Sequence, residues 1–237
     1  MPPERSQADA AAAPAASPDT TDPADPAASG FGSRHPLPPL RRSDLDPDPI
    51  AQFLAWFERA RERVPLAEAM SLATVDQSGA PDARMVLLKG VDGRGFRFFT
   101  NEHSVKGAQL AARPAAALIL YWREQDRQVR VRGRVERLGP EESDSYFASR
   151  PRDSQLGAWA SPQSAPIGDR GELERRVAEV EERFADSEVP RPPHWGGFLV
   201  VPSTIDLWQG QSGRLHDRFR YRRSGVDEPW QLERLAP

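Results

Sequence analysis

The spacing of hydrophobic positions along this chain changes near residue 70, and that change separates a helical opening from a β-rich body. After Asp46-Pro-Asp-Pro49, the residues Ile50, Phe53, Leu54 and Phe57 recur at i, i+3, i+4 and i+7, the stripe of an amphipathic helix. From Met70 the runs become short and β-like: residues 70–76, 83–91 and 96–100, separated by Gln-Ser-Gly and Asp-Gly-Arg-Gly turn signals. Residues 116–122 and 128–138 continue the strands. In the second, Val129, Val131 and Val135 alternate with Arg130, Arg132 and Arg134, so one face is buried and the other wet. Residues 197–201, 204–208, 219–223 and 230–235 complete the set. Helical patterns fall at 104–113 (ended by Pro114), 140–150 and 170–185, the last through Leu173, Val177, Val180 and Phe184. The Arg-Pro-Arg at 150–152 reads as a Pro-broken turn. About eight strands, with helices inserted between them rather than alternating strictly, predict a mainly β fold with peripheral helices: an antiparallel barrel, not a doubly wound sheet.

Composition narrows this. Residues 1–43 are rich in Ala, Pro, Asp and Ser, with too few large apolar groups to offset their ordering entropy; they read as a disordered tail ahead of one domain over 44–237. The tail has no apolar h-region and is too acidic for a mitochondrial transit peptide, which points to the cytoplasm. No apolar run approaches a membrane span. The chain has no cysteine, which excludes disulfides, thiolate catalysis and Cys-ligated metal. Its four histidines show no metal-ligand spacing, so no metal is expected. A net charge of −3 gives no nucleic-acid footprint. There is no Gly-rich Rossmann or P-loop fingerprint.

Four segments carry candidate chemistry. Trp208-Gln-Gly-Gln-Ser-Gly-Arg-Leu-His-Asp-Arg218 lies between two β-like runs. It offers an aromatic face (Trp208), polar partners (Gln209, Asp217), guanidinium forks (Arg214, Arg218) and a group titrating near neutrality (His216). Such a set suits a flat, anionic heteroaromatic ligand; a solvated basic hairpin is the bland alternative. Arg84-Met-Val-Leu-Leu-Lys89 places a cation at each end of an apolar run, and on a regular strand the two point to opposite faces. Phe98-Phe-Thr-Asn-Glu-His-Ser-Val-Lys106 runs from a strand into a helix start, with Thr100, Ser104 and Lys106 near the free N–H groups; Ser104 is equally a simple N-cap. In Tyr146-Phe-Ala-Ser-Arg-Pro-Arg-Asp-Ser154, Tyr146 and Arg150 share a helix face and Ser154 follows the turn, a phosphate-monoester grip or an arginine balancing a helix end. Gln163-Ser164 adds polar groups in a loop. Each cluster alone is as readily structural as functional. Together they make several separated anion-binding sets on one β scaffold, about what two phosphorylated ligands would need.

With those residues in view, the chain resembles the pyridoxamine (pyridoxine) 5′-phosphate oxidases from about residue 44 to Pro237. The carrying pieces are Arg-Met-Val-Leu-Leu-Lys, Ser-Arg-Pro-Arg-Asp-Ser-Gln-Leu-Gly-Ala-Trp, Trp-Gly-Gly-Phe, Trp-Gln-Gly…Arg-Leu-His-Asp-Arg and the ending Glu-Arg-Leu-Ala-Pro. The resemblance implies an FMN-binding split β-barrel, Greek-key-like and antiparallel, in a homodimer whose two FMN sites are built from both subunits. It implies that Arg84, Met85, Val86, Leu87, Leu88 and Lys89 line FMN, with Arg84 and Lys106 on its phosphate side. Phe99, Thr100, Gln128, Gln163, Ser164, Trp208 and Arg218 complete that site. The substrate phosphate falls to Lys89, Tyr146, Arg150 and Ser154, and Arg214, Leu215 and His216 lie at the pyridine ring, with Arg214 and His216 as the catalytic pair. The implied reaction oxidises pyridoxamine 5′-phosphate and pyridoxine 5′-phosphate to pyridoxal 5′-phosphate. Hydride passes to flavin N5 and molecular oxygen is reduced to hydrogen peroxide, a step of vitamin B6 salvage.

The chain departs from the family pattern at several points. Val105 stands where a second basic residue is common, Phe99 where tyrosine is common, and Asp206-Leu207-Trp208 where Glu-aromatic-Trp is usual. A Met-Arg-x-x-Tyr-like lid segment is not recognisable in Phe31-Gly-Ser-Arg34-His35. Two other readings stay open at this point: a split-barrel flavoprotein acting on another substrate, and a non-catalytic carrier of pyridoxal phosphate.

Overall fold

In the computed structural model, which describes residues 37–237, the first helix is set by its cap. Asp48 accepts a hydrogen bond from the Ile50 backbone N–H (2.9 Å) and Pro49 occupies the first helical position, where its missing N–H costs nothing. The resulting α1 (Pro49–Arg61) buries Ile50, Phe53, Trp56 and Ala60. Leu54, expected in the apolar stripe, is instead exposed, because the buried face is centred on Phe53 and Trp56. Phe53 packs edge-on against Phe96 (4.8 Å between centroids) and so seats α1 on the sheet.

The described strands are β1 (Ala69–Val75), β2 (Pro81–Leu87), β3 (Gly90–Asp92), β4 (Gly95–Asn101), β5 (Ala115–Trp122), β6 (Arg127–Arg137), β7 (Trp195–Gln209), β8 (Asp217–Arg222) and β9 (Gln231–Leu235). All their pairings are antiparallel. The order is β2-β1-β5-β6-β7-β4-β3, with β8 and β9 branching from β7. β2 and β3 stand at opposite ends of this path, yet only Leu88 and Lys89 separate them in sequence. So short a link spans roughly 10 Å at most. The sheet must therefore curl until its ends meet. The backbone shows the hand-over: Leu88 N–H donates to Glu68 O (2.9 Å) on the β1 side, and Lys89 N–H to Arg97 O (2.8 Å) on β4. The single strand expected over 83–91 is thus two, and the opposite-face argument for Arg84 and Lys89 does not carry across the break.

β7 is the spine. One edge holds β6 along residues 198–209; the other holds β4 along residues 195–200 and β8 along 204–209, which splits the sheet. The two runs expected at 197–201 and 204–208 are therefore one continuous strand, bent where the register with β6 shifts at Arg132/Gly133. Met70, Leu72, Phe96, Phe98, Leu118, Val129, Val131, Ile205, Leu207 and Phe219 fill the interior.

Four further helices lie outside the sheet: α2 (Val105–Ala112), α3 (Pro140–Ala148), α4 (Arg152–Ala160) and α5 (Arg170–Arg183). The sequence reading missed α4. Pro151 takes its N-cap position, where proline opens a helix rather than breaking one. Phe147, Leu156, Phe184, Val189 and Trp195 form a second core between these helices and the start of β7. Residues 37–43, grouped by composition with the tail, are bonded into the domain: Gln211 Nε2 donates to Leu37 O (3.1 Å), Gln209 Nε2 to Pro38 O (3.0 Å), and Leu40 N–H to Asp217 Oδ2 (2.8 Å). Residues 1–36, including Arg34 and His35, lie outside the described residues. Among the described residues, no helix is long and apolar enough to cross a membrane.

A Cβ added at Gly133 would stand 1.9 Å from the Val201 carbonyl oxygen. Gly133→Ala is therefore expected to destabilise the protein by about 1–3 kcal/mol, read as a lower urea midpoint. Gly157→Ala faces open space within α4 and should not destabilise it.

Candidate active site

The cations expected around a flavin phosphate converge at one end of the barrel. Arg84 on β2 points inward, where Nη1 donates to Thr74 Oγ1 (2.5 Å) and Nη2 to Asp82 (2.5 Å) and Gln109 Oε1 (2.9 Å). Ser104 caps α2, its Oγ accepting from Gly107 N–H (3.3 Å), and so holds Lys106 in the first turn. The Lys106 ammonium donates to Gln163 Oε1 (2.8 Å), Thr100 Oγ1 (3.3 Å) and Ser104 Oγ (3.3 Å). Burial, then the neighbouring Arg84 guanidinium, push the Lys106 ammonium below its ordinary pKa. Among the described residues Lys106 has no carboxylate hydrogen-bonding to it. Two coupled cations with three hydroxyl or amide partners fit a phosphate, which would relieve their repulsion. Val105 is half exposed at the start of α2 and contributes no charge there. Ser164 follows Gln163 at φ +74°, a left-handed conformation uncommon for a residue other than glycine.

The stretch from Met85 to Leu88 divides by face. Val86 and Leu88 pack into the core, so only their backbone groups could meet a ligand, whereas Met85 and Leu87 are exposed. Lys89 is also exposed, and among the described residues its ammonium has no hydrogen-bond partner.

A second cationic set forms around α3. Tyr146 stacks on Phe99 (4.0 Å, 16°), and the Arg150 guanidinium lies over the rings of Trp195 (4.8 Å) and Phe147 (5.4 Å). Arg150 Nη1 is buried and has no hydrogen-bond partner among the described residues, and burial lowers the group's pKa. A buried guanidinium N–H without an acceptor costs free energy that an incoming anion would recover. Ser154 sits in the first turn of α4, just beyond Arg150. Phe99, assigned by resemblance to the flavin, packs with this set.

The third set is read from strand register. Gln128, Trp208 and Arg218 lie directly opposite one another on β6, β7 and β8, on the sheet face away from Val129, Leu207 and Phe219. Two residues along, Asp206 is held by Arg220 through two bonds (2.7 and 3.0 Å) and by Arg130. Burial alone would raise the Asp206 carboxyl, but these arginines keep it below the usual range. Beyond Trp208, Gly213 and Arg214 adopt φ +64° and +61° and leave Arg214 and Leu215 exposed. The His216 ring lies 4.7 Å from that of Trp208, and its Nδ1 accepts the Gln211 N–H (3.1 Å), so the neutral ring carries its proton on Nε2. Asp217 proves structural: buried, it accepts from Leu40 N–H, Gln211 Nε2 (3.0 Å) and Arg234.

The first and third sets stand near opposite ends of β7. Thr100 pairs with Gly196 and Gln128 with Trp208, twelve positions further along the strand, roughly 40 Å if it were straight. The two sets thus sit on well-separated stretches of β7. A cavity of about 670 Å³ between residues 37–46 and α1 contains none of the residues assigned to either ligand. Thr74, Asp82 and Gln109 went unnoticed in the sequence, and Trp195 and Gln211 lay within quoted motifs without a role assigned to them. They act by orienting other side chains, a role that depends on partners distant in sequence.

Residues 57–184 match the pyridoxamine 5′-phosphate oxidase family, and residues 195–237 match the pyridoxine 5′-phosphate oxidase C-terminal dimerisation region, which supports a homodimer. Proteins named pyridoxine/pyridoxamine 5′-phosphate oxidase from Burkholderia thailandensis and Burkholderia pseudomallei are each 54% identical over 200 residues, 84% of this chain and 93% of theirs. Among solved structures, PhzG from Burkholderia lata 383, in complex with tetrahydrophenazine-1-carboxylic acid, superposes with a TM-score of 0.79 at 30% identity. That match covers 88% of this chain and all of PhzG. A pyridoxamine 5′-phosphate oxidase-related, FMN binding protein from Nostoc punctiforme shares the fold (TM-score 0.65, 20% identity, 80% of this chain and 98% of that one). This chain belongs to the pyridoxamine 5′-phosphate oxidase family.

Proposed function

We propose that this protein is an FMN-dependent oxidase of pyridoxamine 5′-phosphate and pyridoxine 5′-phosphate. The alcohol and oxygen give pyridoxal 5′-phosphate and hydrogen peroxide; the amine, with one water, gives the same products and ammonia. The observation that carries the reading is the buried, unpartnered Nη1 of Arg150 beside Tyr146, a site prepared for a substrate anion apart from the cations at Arg84 and Lys106.

In this reading Arg84, Lys106, Thr100 and Gln163 hold the flavin phosphate. Gln128, Trp208 and Arg218 meet the same cofactor from the partner subunit, a reading supported by their separation along β7. FMN supplies the two-electron acceptor that protein side chains lack. Tyr146, Arg150 and Ser154, joined by Lys89, grip the substrate phosphate. Arg214 and His216, flanking Leu215, orient the ring; with Nδ1 engaged by Gln211, His216 offers its Nε2–H as a donor rather than accepting a proton.

A second reading, oxidation of a larger ring system bearing a carboxylate, is favoured by the likeness to PhzG. One assay separates the two: reconstitute the protein with FMN and supply pyridoxamine 5′-phosphate in air. Peroxide and pyridoxal phosphate in equal amounts are expected. A flavin-loaded protein that forms neither would favour the second reading, and a protein unable to take up FMN would sink both.

Lys106→Ala should weaken FMN binding by about 10–100-fold, the equivalent of one charge-assisted hydrogen bond to phosphate. Flavin fluorescence released on dilution measures this. Arg214→Ala should lower kcat/KM by at least about tenfold with flavin content unchanged, as expected for a group that acts on the substrate. Parallel loss of flavin would place Arg214 in the cofactor site instead.

A further inference from the structure

Trp195 is a hub for the substrate-phosphate set without belonging to it. It opens β7 and pairs with Asn101 of β4, and its carbonyl accepts from Arg191 Nη1 (2.6 Å). Only 6% of it is exposed. Its indole lies under the Arg150 guanidinium (4.8 Å), near-parallel to Phe99 (5.5 Å, 10°) and to Tyr146 (6.1 Å, 7°), and edge-on to Phe147 (5.1 Å). Phe99, stacked in turn on Tyr146, has room because position 197 is glycine: a Cβ there would come within 2.6 Å of the Phe99 ring.

The chemistry of this floor matters. A carboxylate beneath Arg150 would fix the guanidinium but also neutralise it and occupy its donors. An aromatic face holds the cation through its π quadrupole and leaves the N–H groups free. That agrees with the state of Arg150: no ion pair with a carboxylate among the described residues, two rings packed against it, and a buried Nη1 without an acceptor. The same indole fixes the tilt of Phe99, and through it the position of the Tyr146 phenol.

We infer that Trp195 is a positioning residue for phosphorylated substrate, holding Arg150 and, through Phe99, Tyr146 in place for the phosphate without quenching the arginine's charge. The inference rests on the reading of Tyr146 and Arg150 as the substrate-phosphate site. It predicts a selective effect on affinity: the floor acts on the phosphate, not on the ring atoms that react.

The test uses the FMN-loaded enzyme and its Trp195→Leu and Trp195→Phe variants. KM for pyridoxamine 5′-phosphate should rise about tenfold in Trp195→Leu, with kcat changed less than about threefold, and Trp195→Phe should recover most of the loss. Equilibrium binding of 4′-deoxypyridoxine 5′-phosphate, which needs no turnover, should weaken by the same factor, while the phosphate-free 4′-deoxypyridoxine should bind all variants alike. Unchanged affinity for the phosphorylated analogue in Trp195→Leu overturns the inference, as does equal weakening for both analogues. If Trp195→Leu does not fold, Trp195→Phe decides, since its smaller face should still raise KM about two- to threefold. A protein whose binding of the phosphorylated analogue depends on Trp195 in this way, but which does not oxidise the amine, leaves this inference standing and removes the oxidase reading.

Discussion

The short link between β2 and β3 governs this molecule. Leu88 and Lys89 must carry the chain from one end of a seven-strand path to the other, and they can do so only if the sheet closes. Closure gives β2 an inner side, from which Arg84 donates to Gln109 of α2. It also brings β2 beside β4, the strand that carries Phe99 and Thr100 on adjacent positions. Those two residues serve different clusters, Thr100 with Lys106 and Gln163, Phe99 with Tyr146 and Trp195. Loss of the curl would scatter all of them.

The second organising element is the long β7. It begins at the aromatic floor under Arg150 and ends at Trp208, in line with Gln128 and Arg218. The two groups of candidate residues therefore lie on separate stretches of one strand. The match of residues 195–237 to a dimerisation region covers the whole of β7 and the loop and strands after it.

Much of the fold was legible because the strands are half-buried and alternate cleanly; Val129, Val131 and Val135 lie on the inner face as the pattern requires. The misses have specific causes. Leu54 satisfies a helical period but loses its place to Trp56, since the period fixes a stripe's spacing and not its centre. α4 was hidden behind Pro151, whose meaning depends on whether a helix starts or ends there. Residues 83–91 read as one strand because nothing local marks an exchange of hydrogen-bonding partner at Leu88.

The cationic side chains, the glycine-rich loop after Trp208 and the antiparallel β class were fixed by residue type and spacing, since charge, ring and period are local properties. Which cations share a site was decided only in three dimensions. Lys106 meets Gln163 from a loop far along the chain, Asp217 turns from a candidate ligand contact into a clasp for Leu40 and Arg234, and Trp195 comes to lie beneath Arg150. Those pairings depend on barrel closure and strand register, which are set by many weak contacts at once and leave no mark at any single position.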